Sequence, residues 1–320
     1  MNRPPVQPLC MTIAARVLGT TYREYVTDFN VLVRGQAELA GRFGVEVLSV
    51  CSDPVSELAD YGGRLVWFDN DPPAPDPSDL LLASPDDLAN LVHPDPAMGR
   101  MGNRLHAVEA LRRMGGPEAE VLGWVEGPIS GAAVMRGMVA LMEDLVDDPR
   151  YVADLFGFVT DTAIVFAKAQ IDAGADVIGF GDAPASLIGP DLYEEFVLPF
   201  ERRMTEEIHQ AGAEVRMHIC GNTTHLLPLM AQAGVDRVDI DSLTDFKKAV
   251  DAFPPNVKVL GNLDPVREVL NGTPDSIKTR LAECHRIAGD RYVIGAGCEI
   301  PAKTSDENLL AFAAYARECV

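Results

Sequence analysis

Three side chains that bind soft or borderline metals sit at strand-like positions in this sequence. His218 and Cys220 are two residues apart, and Cys298 follows far downstream. In an extended strand, residues i and i+2 face the same side, so this imidazole and thiol point together. Cys298 comes just after a different strand-like run. One imidazole and two thiolates suit zinc, and three protein ligands leave the fourth position that catalytic zinc sites keep for water or substrate. A His-x-Cys at a strand end is also a common packing feature, and spacing alone leaves both readings open. Carboxylates fall at similar places: Asp53, Glu126, Asp182, Asp239, Asp241, Asp264 and Glu299 each stand at or just past the end of a short apolar run. Singly, Asp182, Asp239 and Asp241 read as loop residues or helix N-caps. Gathered at one rim they make an enzyme's pattern.

For these residues to meet, the runs before them must be neighbouring strands with their C-terminal ends on one side. Short β-branched runs at 45–50, 121–125, 176–180, 214–218, 236–240, 257–260 and 292–294 alternate with amphipathic helical stretches such as 149–173, 190–212, 223–233 and 273–288. Several of these helices stop at a glycine just before the next strand, as a glycine C-cap requires. Strand–helix alternation over this length predicts a parallel sheet covered by helices. A closed (β/α)8 barrel fits better than an open doubly wound sheet, because no Gly-rich phosphate loop opens a helix after a strand. In such a barrel the chemistry sits at the C-terminal ends of the strands. The expectation is an α/β fold: a single TIM-type barrel over residues 1–320, with an N-terminal extension and loop insertions. The eighth strand is ambiguous; residues 64–68 supply it or form one arm of a hairpin over the barrel. The stretch 69–79, with four prolines and four aspartates, reads as an exposed excursion.

The 320 residues carry 27 Lys+Arg against 48 Asp+Glu, a net charge of −21. Such a balance argues against nucleic acid and against an anionic membrane surface, both of which bind through basic residues. No 18-residue apolar run and no signal-peptide pattern occurs, so a cytoplasmic location is expected. Six cysteines in this length do not make a disulfide framework. His209, His225 and His285 fall on helices without periodic partners and read as surface residues.

Several strings together resemble the uroporphyrinogen decarboxylase superfamily: His218-x-Cys220-Gly221-Asn222-Thr223, Gly261-Asn262-x-Asp264-Pro265 and Gly297-Cys298-Glu299-Ile300-Pro301. Gly127-Pro128-Ile129-Ser130 and Gly181-Asp182-x-x-Ala185-Ser186 extend the likeness, which runs from about Asp53 to Arg317. The closer similarity is to its methylcobamide:coenzyme M methyltransferase branch, whose zinc motif is His-x-Cys followed distantly by one Cys. That resemblance implies a barrel with Zn2+ on His218, Cys220 and Cys298, and a methyl group passing from methylcobalamin or another corrinoid to a zinc-activated thiol such as coenzyme M, or to another acceptor such as tetrahydrofolate. It also implies a separate, transiently bound corrinoid protein, because no Asp-x-His-x-x-Gly corrinoid motif occurs here. Asp53 matches an acidic position shared by both branches, Asp182 is expected to orient the thiol or the corrinoid face, and Asp241 is favoured over Asp239 as the carboxylate beside the metal. The N-terminal arginine cluster with which the decarboxylases hold substrate carboxylates is reduced to Arg16 and Arg23. The alternatives are a decarboxylase-type lyase using Asp53 without metal, and a non-catalytic barrel that binds corrinoid or a partner.

Overall fold

The computed structural model describes residues 3–319. Seven strands make one parallel sheet in chain order: β1 (Val47–Ser49), β4 (Glu120–Glu126), β5 (Val177–Gly181), β6 (Glu214–Ile219), β7 (Arg237–Ile240), β8 (Lys258–Gly261) and β9 (Tyr292–Val293). All seven lie where the apolar runs place them. The order never reverses, so there is no switch point of the kind that defines a doubly wound sheet; the sheet curls. The remaining strands, β2 (Leu65–Val66) and β3 (Ala74–Pro75), pair antiparallel as a separate hairpin. Residues 64–68 therefore form a hairpin arm and not a member of the main sheet. The proline- and aspartate-rich stretch is the far end of that hairpin.

The edge between β9 and β1 is occupied by a segment expected to be an extension. Val6, which is buried, bridges in parallel to Ile294. The Gln7 N–H donates to the Ile294 carbonyl at 2.9 Å, the Ile294 N–H to Pro5 at 2.8 Å, and the Glu46 N–H to Val6 at 2.8 Å. Prolines at 4, 5 and 8 hide this pairing from a pattern search. They leave two residues, Val6 and Gln7, with both pairing groups and no alternation to detect.

The helices form for local reasons and pack on the outside of the sheet. In Pro149–Asp172, Asp148 accepts from the Tyr151 N–H at 3.1 Å, Pro149 opens the first turn, and Val152, Leu155, Phe156, Val159, Ala163, Phe166 and Ala167 make a buried stripe. Gln170 ends that stripe and clamps β4: its Oε1 accepts from the Trp124 N–H at 2.8 Å and its Nε2 donates to the Trp124 carbonyl at 2.9 Å. The expected helix at 190–212 is interrupted by a π-helical turn, Tyr193–Val197, and that at 223–233 shortens to Leu227–Met230. His285 is buried against Tyr292 and Tyr315, not exposed. Among the described residues, no helix is long and apolar enough to cross a membrane.

If residues 5–7 belong to the sheet, the amides of Gln7 and Ile294 will exchange with deuterium as slowly as those of β5. Fast exchange at both, with β5 protected, would leave that edge open.

Candidate functional site

His218 is the penultimate residue of β6, Cys220 follows the strand on the same side, and Cys298 comes from the turn after β9. Their donor atoms all lie within 4.8 Å of one another. His218 Nε2 is 2.9 Å from Cys220 Sγ and 3.8 Å from Cys298 Sγ, and the two sulfurs are 3.1 Å apart. Three corners of a zinc tetrahedron would stand roughly 3.3–3.8 Å apart, given metal–sulfur and metal–nitrogen lengths near 2.3 and 2.0 Å. The donor set suits that ion; the Cys298–His218 separation already matches, and the other two are a few tenths of an ångström shorter. The Cys220 thiol, hydrogen-bonding to Cys298, pulls Cys298 well below the usual thiol range, with His218 assisting against burial; Cys220 itself is pushed up. Proton release on metal binding follows from ligands of this kind.

The imidazole is aimed from behind. In the parallel register His218 stands beside Asp239 of β7, whose Oδ2 lies 2.9 Å from His218 Nδ1. Arg216, two residues before His218 on the same side of β6, holds both oxygens of that carboxylate through Nε at 2.9 and 3.1 Å and Nη2 at 2.9 Å. Burial alone would raise the Asp239 carboxyl, but Arg216 and His218 outweigh it and keep it below the ordinary carboxylate range. An anionic Asp239 fixes the proton on Nδ1 and turns Nε2 toward the two sulfurs, the usual carboxylate–histidine support of a metal site. Asp239, not Asp241, thus holds the position behind the imidazole. Asp241 accepts from the backbone N–H groups of Gly221 at 3.0 Å and Leu243 at 2.8 Å.

Beside the three donors lies a cavity of about 220 Å³, walled by Leu9, Met11, Trp124, Asp53, Glu126 and Glu299 among others, with Pro72 of the hairpin at its edge. Trp124 occupies its place because the opposite strand is bare there: it registers with Gly179, where a Cβ would collide with the indole. Asp53 is buried and bound by Arg100 at 2.9 and 2.5 Å, with Arg104 at 3.9 Å. Burial works to raise it, and the two guanidiniums hold it below the usual range. Among the described residues, Glu126 has no such partner. Its contact is the Trp124 indole N–H at 3.4 Å, and burial, with Glu57 and Asp182 near, pushes its carboxyl well up toward the neutral form.

Asp182 lies outside this cavity, fully buried. Its Oδ1 accepts from the Ser130 N–H at 2.8 Å, and it sits where Gly127 leaves room for no Cβ. The two motifs around residues 127–130 and 181–186 are thus halves of one packing joint. Arg100, Arg216 and Trp124 escaped the sequence reading. Arg216 had a detectable signal, a charge in the middle of an apolar strand with the parity of His218; Arg100 had none.

A curled parallel sheet with one imidazole and two thiols converging at its C-terminal rim defines an α/β protein with a metal-donor site where barrel folds carry their chemistry. The chain belongs to the uroporphyrinogen decarboxylase family, whose model, described as "Uroporphyrinogen decarboxylase (URO-D)", matches residues 1–319. A methylcobamide:CoM methyltransferase of Methanosarcina acetivorans is 34% identical over 215 residues, 66% of this chain and 62% of that protein, so the match spans less than two thirds of that relative's length. A uroporphyrinogen decarboxylase of Myxococcus xanthus is 30% identical over 250 residues, 75% of this chain and 70% of that one. Among solved structures, a methyltransferase from Methanosarcina mazei superposes with a TM-score of 0.90 over 99% of this chain and 94% of that chain, at 23% identity, which establishes the fold.

Asp239→Asn will lower zinc affinity about 10–100-fold, measured by competition with a chromophoric chelator. It will also destabilise the protein by about 3–5 kcal/mol by stranding Arg216. Unchanged zinc affinity in a folded variant would mean that Asp239 does not support the site.

Proposed function

We propose that this protein transfers a methyl group from a methylated corrinoid, presented by a separate carrier protein, to a small thiol at a zinc ion held by His218, Cys220 and Cys298. The observation that carries this reading is the convergence of those three donors on one cavity. Zinc would supply there the positive charge that keeps a thiol deprotonated and nucleophilic at neutral pH. The reading treats the 320-residue chain as one (β/α)8 barrel domain, with residues 5–7 as the eighth stave, working in the cytoplasm.

The chain's own residues have defined tasks in it. Asp239 and Arg216 aim His218, Trp124, Leu9 and Met11 wall the cavity against water, and Gln170 holds the Trp124 backbone in place. Asp53, fixed by Arg100, contributes a shaped polar wall with its charge already matched. Asp182 acts through Ser130 by joining the β5 rim to the helix Pro128–Arg136. In the transfer, the thiol sulfur forms a bond to the methyl carbon, the cobalt–carbon bond breaks with its electron pair left on cobalt, and the thiol proton goes to solvent. Nothing is oxidised beyond this exchange, and the protein's contribution is alignment.

The cavity also weighs against a porphyrinogen. About 220 Å³ falls below the ~300–1,000 Å³ of sites for drug-sized ligands. A tetrapyrrole with eight carboxylates would in addition meet three carboxyls in the wall.

Protein purified without chelator will contain about one zinc per chain by mass spectrometry. Cys298→Ser will lose most of it and will no longer demethylate methylcobalamin in the presence of thiols. Carefully reduced parent protein without zinc would overturn the reading.

A further inference from the structure

The cavity beside the three donors is one-sided in charge. Asp53, Glu126 and Glu299 line it, and among the described residues no lysine or arginine does. The guanidiniums of Arg100 and Arg104 meet the Asp53 carboxylate and do not line the cavity. The imidazole of His218 has one nitrogen on Asp239 and the other facing the sulfurs. Arg16 is bound to the Thr304 carbonyl and Asp306, away from the cavity wall. Glu299 accepts from the Thr12 N–H at 2.6 Å, a backbone donor and not a cation. Glu126, 6% exposed, has only its long contact to the Trp124 indole. Among the described residues, two of the three carboxyls lining this space of about 220 Å³ therefore have no cationic partner.

A sulfonate or carboxylate at the end of the cavity away from the metal donors would find no lysine or arginine in the wall to receive it, and a desolvated anion without such a partner is costly. An ammonium group would find two carboxyls without a cationic partner, and its own charge would favour the ionised form that burial opposes at Glu126, giving charge-assisted hydrogen bonds. We propose that the methyl acceptor is an aminothiol: a small thiol whose other end is an ammonium group bound by Glu126 and Glu299, in place of the sulfonate of coenzyme M. This rests on the methyl-transfer reading above and names its substrate class. The amine takes no part in the transfer, which proceeds with the same bonds made and broken; it sets which thiol is held with its sulfur toward the donors. Nothing about the metal ligands themselves distinguishes an aminothiol from any other thiol. The discrimination lies entirely in the cavity wall.

Cysteamine, 2-mercaptoethanol and coenzyme M test this directly, because they share a two-carbon thiol and differ in carrying an ammonium, a hydroxyl or a sulfonate. Their binding to the zinc-loaded protein is measured by calorimetry, and their S-methylation by methylcobalamin is followed alongside. Cysteamine is expected to bind at least about tenfold tighter than coenzyme M, with 2-mercaptoethanol between them. Glu126→Gln is expected to shrink the cysteamine-to-coenzyme M ratio by about tenfold. The change in that ratio removes the differences in acidity among the thiols themselves. Should Glu126→Gln fail to fold, Glu299→Gln and the ranking in the parent protein decide. Equal binding of all three, or a preference for the sulfonate, with S-methylation still observed, would overturn the aminothiol proposal and leave the methyl-transfer reading standing. Zinc-loaded protein that neither binds nor methylates any of the three would remove both.

Discussion

The Asp239 carboxylate, buried in the sheet interior between Arg216 and His218, is the constraint on which the site is built. A charge in that position is expensive unless matched and fully hydrogen-bonded. Here it is matched on one side by a guanidinium and used on the other to aim an imidazole. The pattern continues along the same pair of strands. One turn of register toward the N-terminal end, Arg237 is held by Glu120 at 2.7 Å and by Glu214 at 2.6 Å, with Gln7 beside them. From the bottom of β6 and β7 toward the rim, acids and bases meet across the two strands, Glu214 with Arg237 and then Asp239 with Arg216 and His218. Removing Asp239 would leave Arg216 and His218 without their shared partner, so the orientation of His218 Nε2 is tied to that one carboxylate.

Around that column the walls are made by omission as much as by bulk. Gly179 has no side chain, so the Trp124 indole can lie across β5, and Gly127 has none, so Asp182 can reach the Ser130 amide. A Cβ at either place would force apart elements that meet at the rim. The cavity that results is small and mostly apolar, with carboxyls at its margin, a setting in which electrostatic differences between small ligands are amplified relative to water.

The regular parts of this architecture were legible because they rest on periodicities. Seven strands could be placed from short β-branched runs, and His218 and Cys220 could be put on one side of a strand because the side-chain period there is two. What was illegible depends on partners distant in sequence. Nothing local distinguishes Asp239 from Asp241, which share strand parity; only the register of β7 against β6 puts the former beside His218. Arg100 approaches Asp53 from a segment 47 residues on, after a stretch that reads as an excursion. The stave at residues 5–7 is one bridging residue among prolines, recognisable only through its partners Ile294 and Glu46.

That short stave also bears on how the protein is made. Its partner strand β9 ends at Val293, some 290 residues after it, and Cys298 lies further still. On a ribosome the first segment soon has Glu46, beside β1, to bond to, but its other edge stays uncovered until the last strand has been synthesised. Contacts of such long separation are made late and slow a fold down. An exposed strand edge during that interval is an opening for association with other chains. The prolines that hide the stave from sequence inspection also blunt it, since a proline cannot extend a ladder from a chain still waiting for its partner.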